Sequence, residues 1–379
     1  MSTAPQHLSK ALIIGGGFSG MAAAIALRKR GVAVDLVEID AGWRSYGAGI
    51  SLGGATLRAF KELGILDPFL RIGYAADGVD LYTPTGHSLA QLPTPRLAGP
   101  DVPGGAGVMR PALAQLMATA TRSAGVNVRL GCSFSHIQQD AAGVDVVFTD
   151  GTSGRYDVVI GADGLYSRVR STFFPDAPQP GYSGQGVWRA VFPRPQELVR
   201  PAMWLGQKVK TGVSPVTQNE MYLFVTEDRE QKIHIPAADQ PQMLRDLLQH
   251  FPVALMQTVR EQIGEHSQVI YRPLESLLIK QSWFNGRIVL IGDAVHATTP
   301  HLASGACIGI EDGLVLADEL GRASDVMQGL QQFQARRYER CRMVVENSAR
   351  LGEIEIAGGD KQEHAGIMRS SLMSLAEPI

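Results

Sequence analysis

The sequence predicts an α/β protein: a Rossmann-type dinucleotide-binding unit joined to a second unit built on a sheet. Three observations carry that prediction. A short apolar strand, Ala11 to Ile14, runs into GGGFSG, with Gly15, Gly17 and Gly20 in the GxGxxG pattern. A second unbroken apolar run, Ile288 to Ile291, ends in Gly292-Asp293 and feeds a Gly-rich helix start. Between them, Gln185 to Pro236 reads as successive strands with weak alternation.

The helix after the first turn, Met21 to Arg30, is rich in alanine, which permits close packing on a sheet, and Gly31 ends it. A strand from Val32 to Val37 follows and ends in Glu38. This is a βαβ unit with an acidic residue at the spacing that accepts ribose hydroxyls. Gly15 makes the turn, Gly17 lets backbone approach a pyrophosphate at the helix N-terminus, and Gly20 lets helix meet strand. Phe18 and Ser19 complete that loop. Arg44 could meet a phosphate or a second nucleotide, or stand as a solvated charge. The small residues of 47–54 suit a segment pressed against a flat ligand.

Thr56 to Leu63 reads as a helix closed by Gly64, and Val79 to Ala90 as a hairpin around a Pro/Gly turn. Pro93 to Gly107 reads as loop, after which Arg110 opens a helix, Pro111 to Ser123. Strands are expected at Val126–Gly131, Phe134–Gln138, Val144–Phe148 and Tyr156–Ile160. The last runs into Gly161-Ala-Asp-Gly164, with Ser167 and Arg170 on a helix. Here again an Asp and glycines stand at a strand end, where ligands bind open α/β sheets. The central strands are Val187–Phe192, Met203–Lys208, Glu220–Val225 and Lys232–Ile235, followed by an amphipathic helix, Pro241–Phe251.

After Gly292-Asp293 a loop with Pro300 leads to a helix beginning between Ala303 and Ala306. Its first turn, with Ser304 and Gly305, offers free N–H groups and a positive dipole end. Glu311, Asp312, Asp318 and Glu319 place two acidic pairs on one face, and the rest of the helix should be buried. Phe333 to Gly352 reads as a long charged helix, and the chain from Ala357 as loosely ordered.

Composition bounds the class. The 379 residues allow two domains, and 45% apolar against 19% charged residues suits a globular protein with a large core. Lys plus Arg number 35 against 37 Asp plus Glu, which argues against a nucleic-acid or anionic-membrane surface. The three cysteines lack CxxC or metal-ligand spacing, and His296 and His301, split by a proline, do not share a helix face. No metal is expected. The opening MSTAPQHLSK lacks the pattern of a signal peptide and no run is long enough to span a membrane, so the expected location is cytoplasmic.

Three motifs now stand in order: Gly15-x-Gly17-x-x-Gly20 with Glu38, Gly161-Ala-Asp-Gly164, and Gly292-Asp293 with Pro300 and Gly305. Together they resemble the single-component FAD-dependent aromatic hydroxylases, the family of para-hydroxybenzoate and salicylate hydroxylases. The look is nearest to short bacterial members such as 6-hydroxynicotinate 3-monooxygenase and the quinolone hydroxylases. The resemblance covers nearly the whole chain, and the combination of motifs is specific where each alone is not. It implies a Rossmann-type FAD-binding domain, residues 1–73, 102–180 and 272–379, and a sheet-based substrate domain, 74–101 and 181–271. It implies that the first motif binds the ADP part of non-covalent FAD, that Asp163-Gly164 serve FAD and NADH or NADPH, and that Asp293 holds the ribityl chain. Arg44, Arg110, Gly305 and Ala306 join the FAD site by the same resemblance. Ser51 stands where nicotinate-type members carry a histidine.

The implied reaction is hydroxylation of an aromatic or N-heteroaromatic ring. NAD(P)H reduces FAD, O2 reacts with the reduced flavin, and a flavin hydroperoxide delivers one oxygen atom. Pro300 and His301 lie by resemblance along the flavin ring, with His301 either the acceptor of the substrate proton or a loop histidine that fixes the turn, the second role being open to His296 as well. Trp188, Arg189, Met203, Trp204, Tyr222 and Phe224 lie on the expected substrate sheet, with Tyr222, Trp188 and Met203 as candidate substrate contacts. The expected partners are a small aromatic substrate and O2, with the chain as monomer or homodimer.

Overall fold

Five short apolar strands pair in parallel at the centre of the computed structural model, which describes residues 7–45, 47–265 and 267–379. Residues 1–6, which open the segment expected to lack a signal peptide, lie outside the described residues. The strands stand in the order Ile288–Leu290, Val158–Gly161, Lys10–Ile14, Ala33–Glu38 and Asn127–Leu130. Phe284–Asn285 adds an antiparallel edge. Leu12, Ile13, Val159, Ile160, Val289 and Leu290 are all 0% exposed, because helices cover both faces of the sheet. The helices Phe18–Lys29 and Gly305–Arg322 pack on each other. A Cβ on Gly313 would lie 2.4 Å from the Ala23 nitrogen, so glycine on one helix and alanine on the other let the backbones meet.

A second, seven-stranded sheet runs Ile270–Ser276, Gly181–Pro193, Glu220–Asp228, Val209–Pro215, Ala202–Leu205, Val79–Tyr82 and Ser88–Leu92. Alternation along its strands separates two faces. Trp188, Ala190, Trp204, Leu223 and Val225 turn to one side and form a core with Leu244, Phe251, Met256 and Val259 from the helices Gln240–Leu247 and Ala254–Gln262 and the turn between them. Arg189, Val191, Tyr222 and Phe224 occupy the other face. A small sheet of Gly49–Gly53, Gly105–Met109 and Tyr74–Ala76 backs onto that face. A Cβ on Gly49 would stand 2.4 Å from the Tyr222 Cβ, so the small residues of this segment make room for the second sheet.

Several expected elements differ. Pro93 to Gly107, read as loop, ends in a strand, Gly105–Met109, whose two glycines and one alanine mask its period. The run Tyr156–Ile160 is divided: Ser153–Tyr156 pairs antiparallel with Val144–Phe148, and Val158–Gly161 enters the parallel sheet. Met203–Lys208 is replaced by two strands with a turn between them, and Lys232–Ile235 is not a strand. The strand Ile270–Ser276 carries the second sheet past the boundary expected at 271. The C-terminal stretch is not loose: after Gly358 (φ 60°) ends the helix Val326–Ala357, Asp360 caps a further helix, Lys361–Ala376. Arg58 and Arg340 donate to the carbonyls of its last turn, which propensity along the chain does not reveal.

Candidate active site

The glycine loop after Lys10–Ile14 is shaped by two close approaches and one opening. Gly15 (φ 109°) and Gly20 have no room for a side chain: a Cβ would lie 2.4 Å from the Ala162 carbonyl oxygen and 2.1 Å from the Gly15 carbonyl oxygen respectively. Gly17 caps the helix Phe18–Lys29, is exposed, and its Cβ would meet nothing within 4 Å. A helix N-terminus with clear space in front of it suits a diphosphate. Glu38 reaches the loop from the next strand, accepting from Gly16 N at 2.7 Å and Asp40 N at 2.8 Å. Trp43, in left-handed backbone (φ 45°), donates from Nε1 to the Gly16 carbonyl at 2.7 Å and lies against the Arg122 guanidinium. The motif pattern contains no signal for Trp43. Arg44 pairs with Asp40 at 3.1 Å, and its side chain is 65% exposed.

Asp163 serves the chain itself. Its carboxylate accepts from Ser167 Oγ, from Arg168 N at 2.7 Å and from Val169 N at 3.0 Å, and so fastens the start of the helix Arg168–Phe173. Gly164 (φ 80°) leaves open space where a Cβ would stand. Asp293 differs. It follows the strand Ile288–Leu290 by way of Gly292 (φ 60°) and begins a four-residue helix, Asp293–His296. Its carboxylate is exposed and makes no hydrogen bond or ion pair among the described residues. Protein nevertheless surrounds it, and that loss of bulk water raises its pKa, against the pull of His296 and Arg110.

Arg110 stands within electrostatic reach of Asp293, Arg189 and Tyr222, and the place these four share is the hollow of the site. The Arg110 guanidinium packs 5.1 Å from the Phe18 ring and donates to Ser45 Oγ at 3.3 Å. Burial lowers its pKa, and repulsion from Arg189 adds to that. Arg189 comes from the second sheet and donates through Nε to the Tyr222 hydroxyl at 3.0 Å. Phe224 pairs across the strands with Arg189 and with Gly212, which in turn pairs with Met203, so one row of this face holds Arg189, Phe224 and Met203. Met203 and Tyr222 are therefore on the face of the sheet that carries Arg189. Trp188 is not: it is 0% exposed on the opposite face, bonded to Glu227 at 3.0 Å and packed on Tyr271. A side-chain period of two sends neighbours to opposite faces, so Arg189 belongs to the hollow and Trp188 to the core.

The loop after Asp293 holds two histidines with different surroundings. The His301 side chain is 1% exposed, takes or gives a bond with Thr299 Oγ1 at 2.9 Å, and lies 3.4 Å from Glu355. Burial lowers its pKa. The expectation that His301 faces the substrate is not met by this placement, which turns the ring against the helix Val326–Ala357 at Gly352. Pro300, half-buried, opens the turn that carries it. Ala303 (φ 49°) then reverses the chain into the helix Gly305–Arg322. Ser304 donates its hydroxyl to the Leu302 carbonyl, so no side chain caps the N–H groups at Gly305 and Ala306. Glu311 and Asp312, expected on an outward face, are 0% exposed. They are met by Arg337 and Arg340 from the helix Val326–Ala357.

Comparison with known proteins bears on this geometry. A family model described as "FAD binding domain" matches residues 9–348. The 2-heptyl-3-hydroxy-4(1H)-quinolone synthase of Pseudomonas aeruginosa PAO1 is 32% identical over 352 residues, 91% of this chain and 90% of that one. The FAD-dependent urate hydroxylase of Klebsiella pneumoniae is 28% identical over 357 residues, 89% of this chain and 88% of that one. The crystal structure of Klebsiella pneumoniae HpxO complexed with FAD and uric acid superposes with a TM-score of 0.81 at 24% identity, covering 98% of this chain and 93% of that one. Among the described residues no helix is long and apolar enough to cross a membrane.

Proposed function

This chain belongs to the FAD binding domain family, and from that premise we propose that it is an FAD-dependent monooxygenase hydroxylating an aromatic or N-heteroaromatic ring with NAD(P)H and O2. One observation carries the reading. A carboxylate without a side-chain partner, Asp293, stands at the carboxyl end of a buried parallel strand in a hollow shared with Arg110 and, from the second sheet, Arg189. An open α/β sheet binds its ligand at that place.

The residues present fit FAD. The open space before Gly17 and the first N–H groups of the helix Phe18–Lys29 suit its diphosphate, and Glu38 its ribose. Asp293 would accept from the ribityl hydroxyls, with Arg110, Arg44, Gly164 and Asp163 about the same cofactor. When bound, FAD supplies the passage of electrons from NAD(P)H to O2. The chain's own part is binding and electrostatics. The uncapped N–H groups at Gly305 and Ala306 point a positive helix end toward developing negative charge. Arg189 donates to the Tyr222 oxygen, which leaves the Tyr222 O–H directed away as a donor to a substrate oxygen. Phe224 and Met203 supply an apolar bed beside it for a flat ring. Two guanidinium groups on one hollow favour a substrate that is anionic or ionises on binding.

In this reading the parallel sheet carries FAD and the seven-stranded sheet the substrate. The protein acts in the cytoplasm as a monomer or homodimer. The test is turnover under labelled O2 with a panel of phenols and hydroxylated N-heterocycles. Purified protein should be yellow, and one labelled oxygen should enter the product for each NAD(P)H consumed. A product hydroxyl labelled only from water would overturn the reading.

A further inference from the structure

The helix that presents Asp293 has four residues, Asp293–His296, too few to persist by its own hydrogen bonds. Val295 N and His296 N both bond to the Gly292 carbonyl, at 2.9 and 3.0 Å, and so close a single turn. What holds that turn comes from elsewhere. Asp312, on the helix Gly305–Arg322, accepts from Gly292 N at 2.9 Å through Oδ2. The same oxygen lies 2.5 Å from His296 Nε2. One carboxylate oxygen therefore grips the residue before the turn and the residue that ends it. The other oxygen, Oδ1, takes Arg337 Nε at 2.8 Å. The imidazole is closed in from the side by Trp283, ring centres 5.4 Å apart. His296, Asp312 and Arg337 are each 0 or 1% exposed.

We infer that Asp312, acting through His296 and the Gly292 amide, is a positioning residue that sets where Asp293 stands in the cofactor hollow. The inference rests on the FAD reading above and adds residues that do not touch the hollow. A buried carboxylate is costly unless paired and hydrogen-bonded, and a helix needs none at this point for packing. Here both oxygens are used: Oδ2 gives both its bonds to the turn bearing Asp293, and Oδ1 accepts from Arg337 Nε and, at 3.8 Å, from Cys341 Sγ. His296, Asp312 and Cys341 also bring a nitrogen, an oxygen and a sulfur within 4.8 Å of one another, a spacing that a metal ion accepts. Arg337 stands on both Asp312 Oδ1 and, at 3.5 Å, Cys341 Sγ, so a fixed cation already neutralises that corner.

The test compares His296→Met, which keeps bulk and loses the bond, with His296→Gln, whose amide N–H can replace Nε2. FAD is stripped, its Kd is measured by titration, and thermal unfolding is followed in parallel. His296→Met should weaken FAD binding by about tenfold, the worth of one charge-assisted hydrogen bond, and His296→Gln should recover most of it. In an Asp293→Asn background, His296→Met should add little, because both changes act through one group. FAD binding by His296→Met as tight as wild type overturns the inference. So does an equal loss with and without Asp293, which would mean a general loosening of the fold. Should the Met variant not fold, amide exchange in the FAD-stripped wild type decides: Gly292 N–H must exchange slowly, and fast exchange removes the clamp. If wild-type protein binds no FAD at all, the functional reading fails first, and that result is separate from these.

Discussion

At the scale of the residue, Asp293 and Arg189 carry the most weight. Asp293 makes no side-chain bond among the described residues, so its removal leaves no buried partner unsatisfied. Asp293→Ala should therefore cut FAD occupancy sharply, read from the visible spectrum of purified protein, with unfolding temperature of the stripped protein nearly unchanged. Full occupancy would make Asp293 a cap for its short helix. Arg189→Ala should do the reverse: normal FAD content, with substrate KM raised roughly 10- to 100-fold, since hydrogen bonds to charged groups are worth about 1.5–3 kcal/mol. An unchanged KM would remove the Arg189–Tyr222 pair from substrate binding. Gly15 and Gly20 were legible because each answers a local demand of the backbone, and Gly17 because it completes the pattern they set. Trp188 and Arg189 were not separable by residue type. Only their places on opposite faces of one strand decide which meets a ligand.

At the scale of the element, the helix Gly305–Arg322 shows how an acidic pair misleads. Glu311 and Asp312 on a helix usually mean an outward face. Here they are buried because Arg337 and Arg340 arrive from the helix Val326–Ala357, with Arg337 Nη1 3.0 Å from Glu311 and Arg340 Nη2 2.7 Å from it. His296 joins the network. Burial alone would lower its pKa, but Asp312 beside it outweighs that and raises it well above the usual value. Removing one member of a buried charge network leaves the others uncompensated. Arg337→Ala should cost about 3–5 kcal/mol in denaturant unfolding, far more than the exposed pair Arg350–Glu363. A loss below 1 kcal/mol would show that water takes over the guanidinium's role. The C-terminal helix Lys361–Ala376 escaped reading for the same reason: the groups that dock it, Arg58 and Arg340, lie far away in sequence.

At the scale of the molecule, the hollow lies between two sheets that are hydrogen-bonded within themselves and not to each other. A ligand that touches both should stabilise the whole. FAD added to stripped protein at about 100 times its Kd should raise stability by roughly 2.7 kcal/mol, seen as a higher unfolding temperature. A flat response to FAD, with the protein folded, would contradict the cofactor site. Adenosine alone, lacking the ribityl and ring portions, should give a smaller rise.

The sequence by itself determined the parallel sheet, the glycine turns at its strand ends and the presence of a second sheet. Those follow from local physics: apolar runs for strands buried on both faces, and glycine where backbone must turn or touch. The tertiary structure alone decided which of two adjacent residues faces the hollow, that His301 turns inward against Gly352, and that Asp312 is buried. These depend on what stands across a gap from each residue, and the partners, Tyr222, Glu355 and Arg337, sit 33, 54 and 25 positions away along the chain. Sequence pattern reports a residue's own chemistry and its near neighbours; it carries no record of a distant group that cancels a charge or closes off a ring.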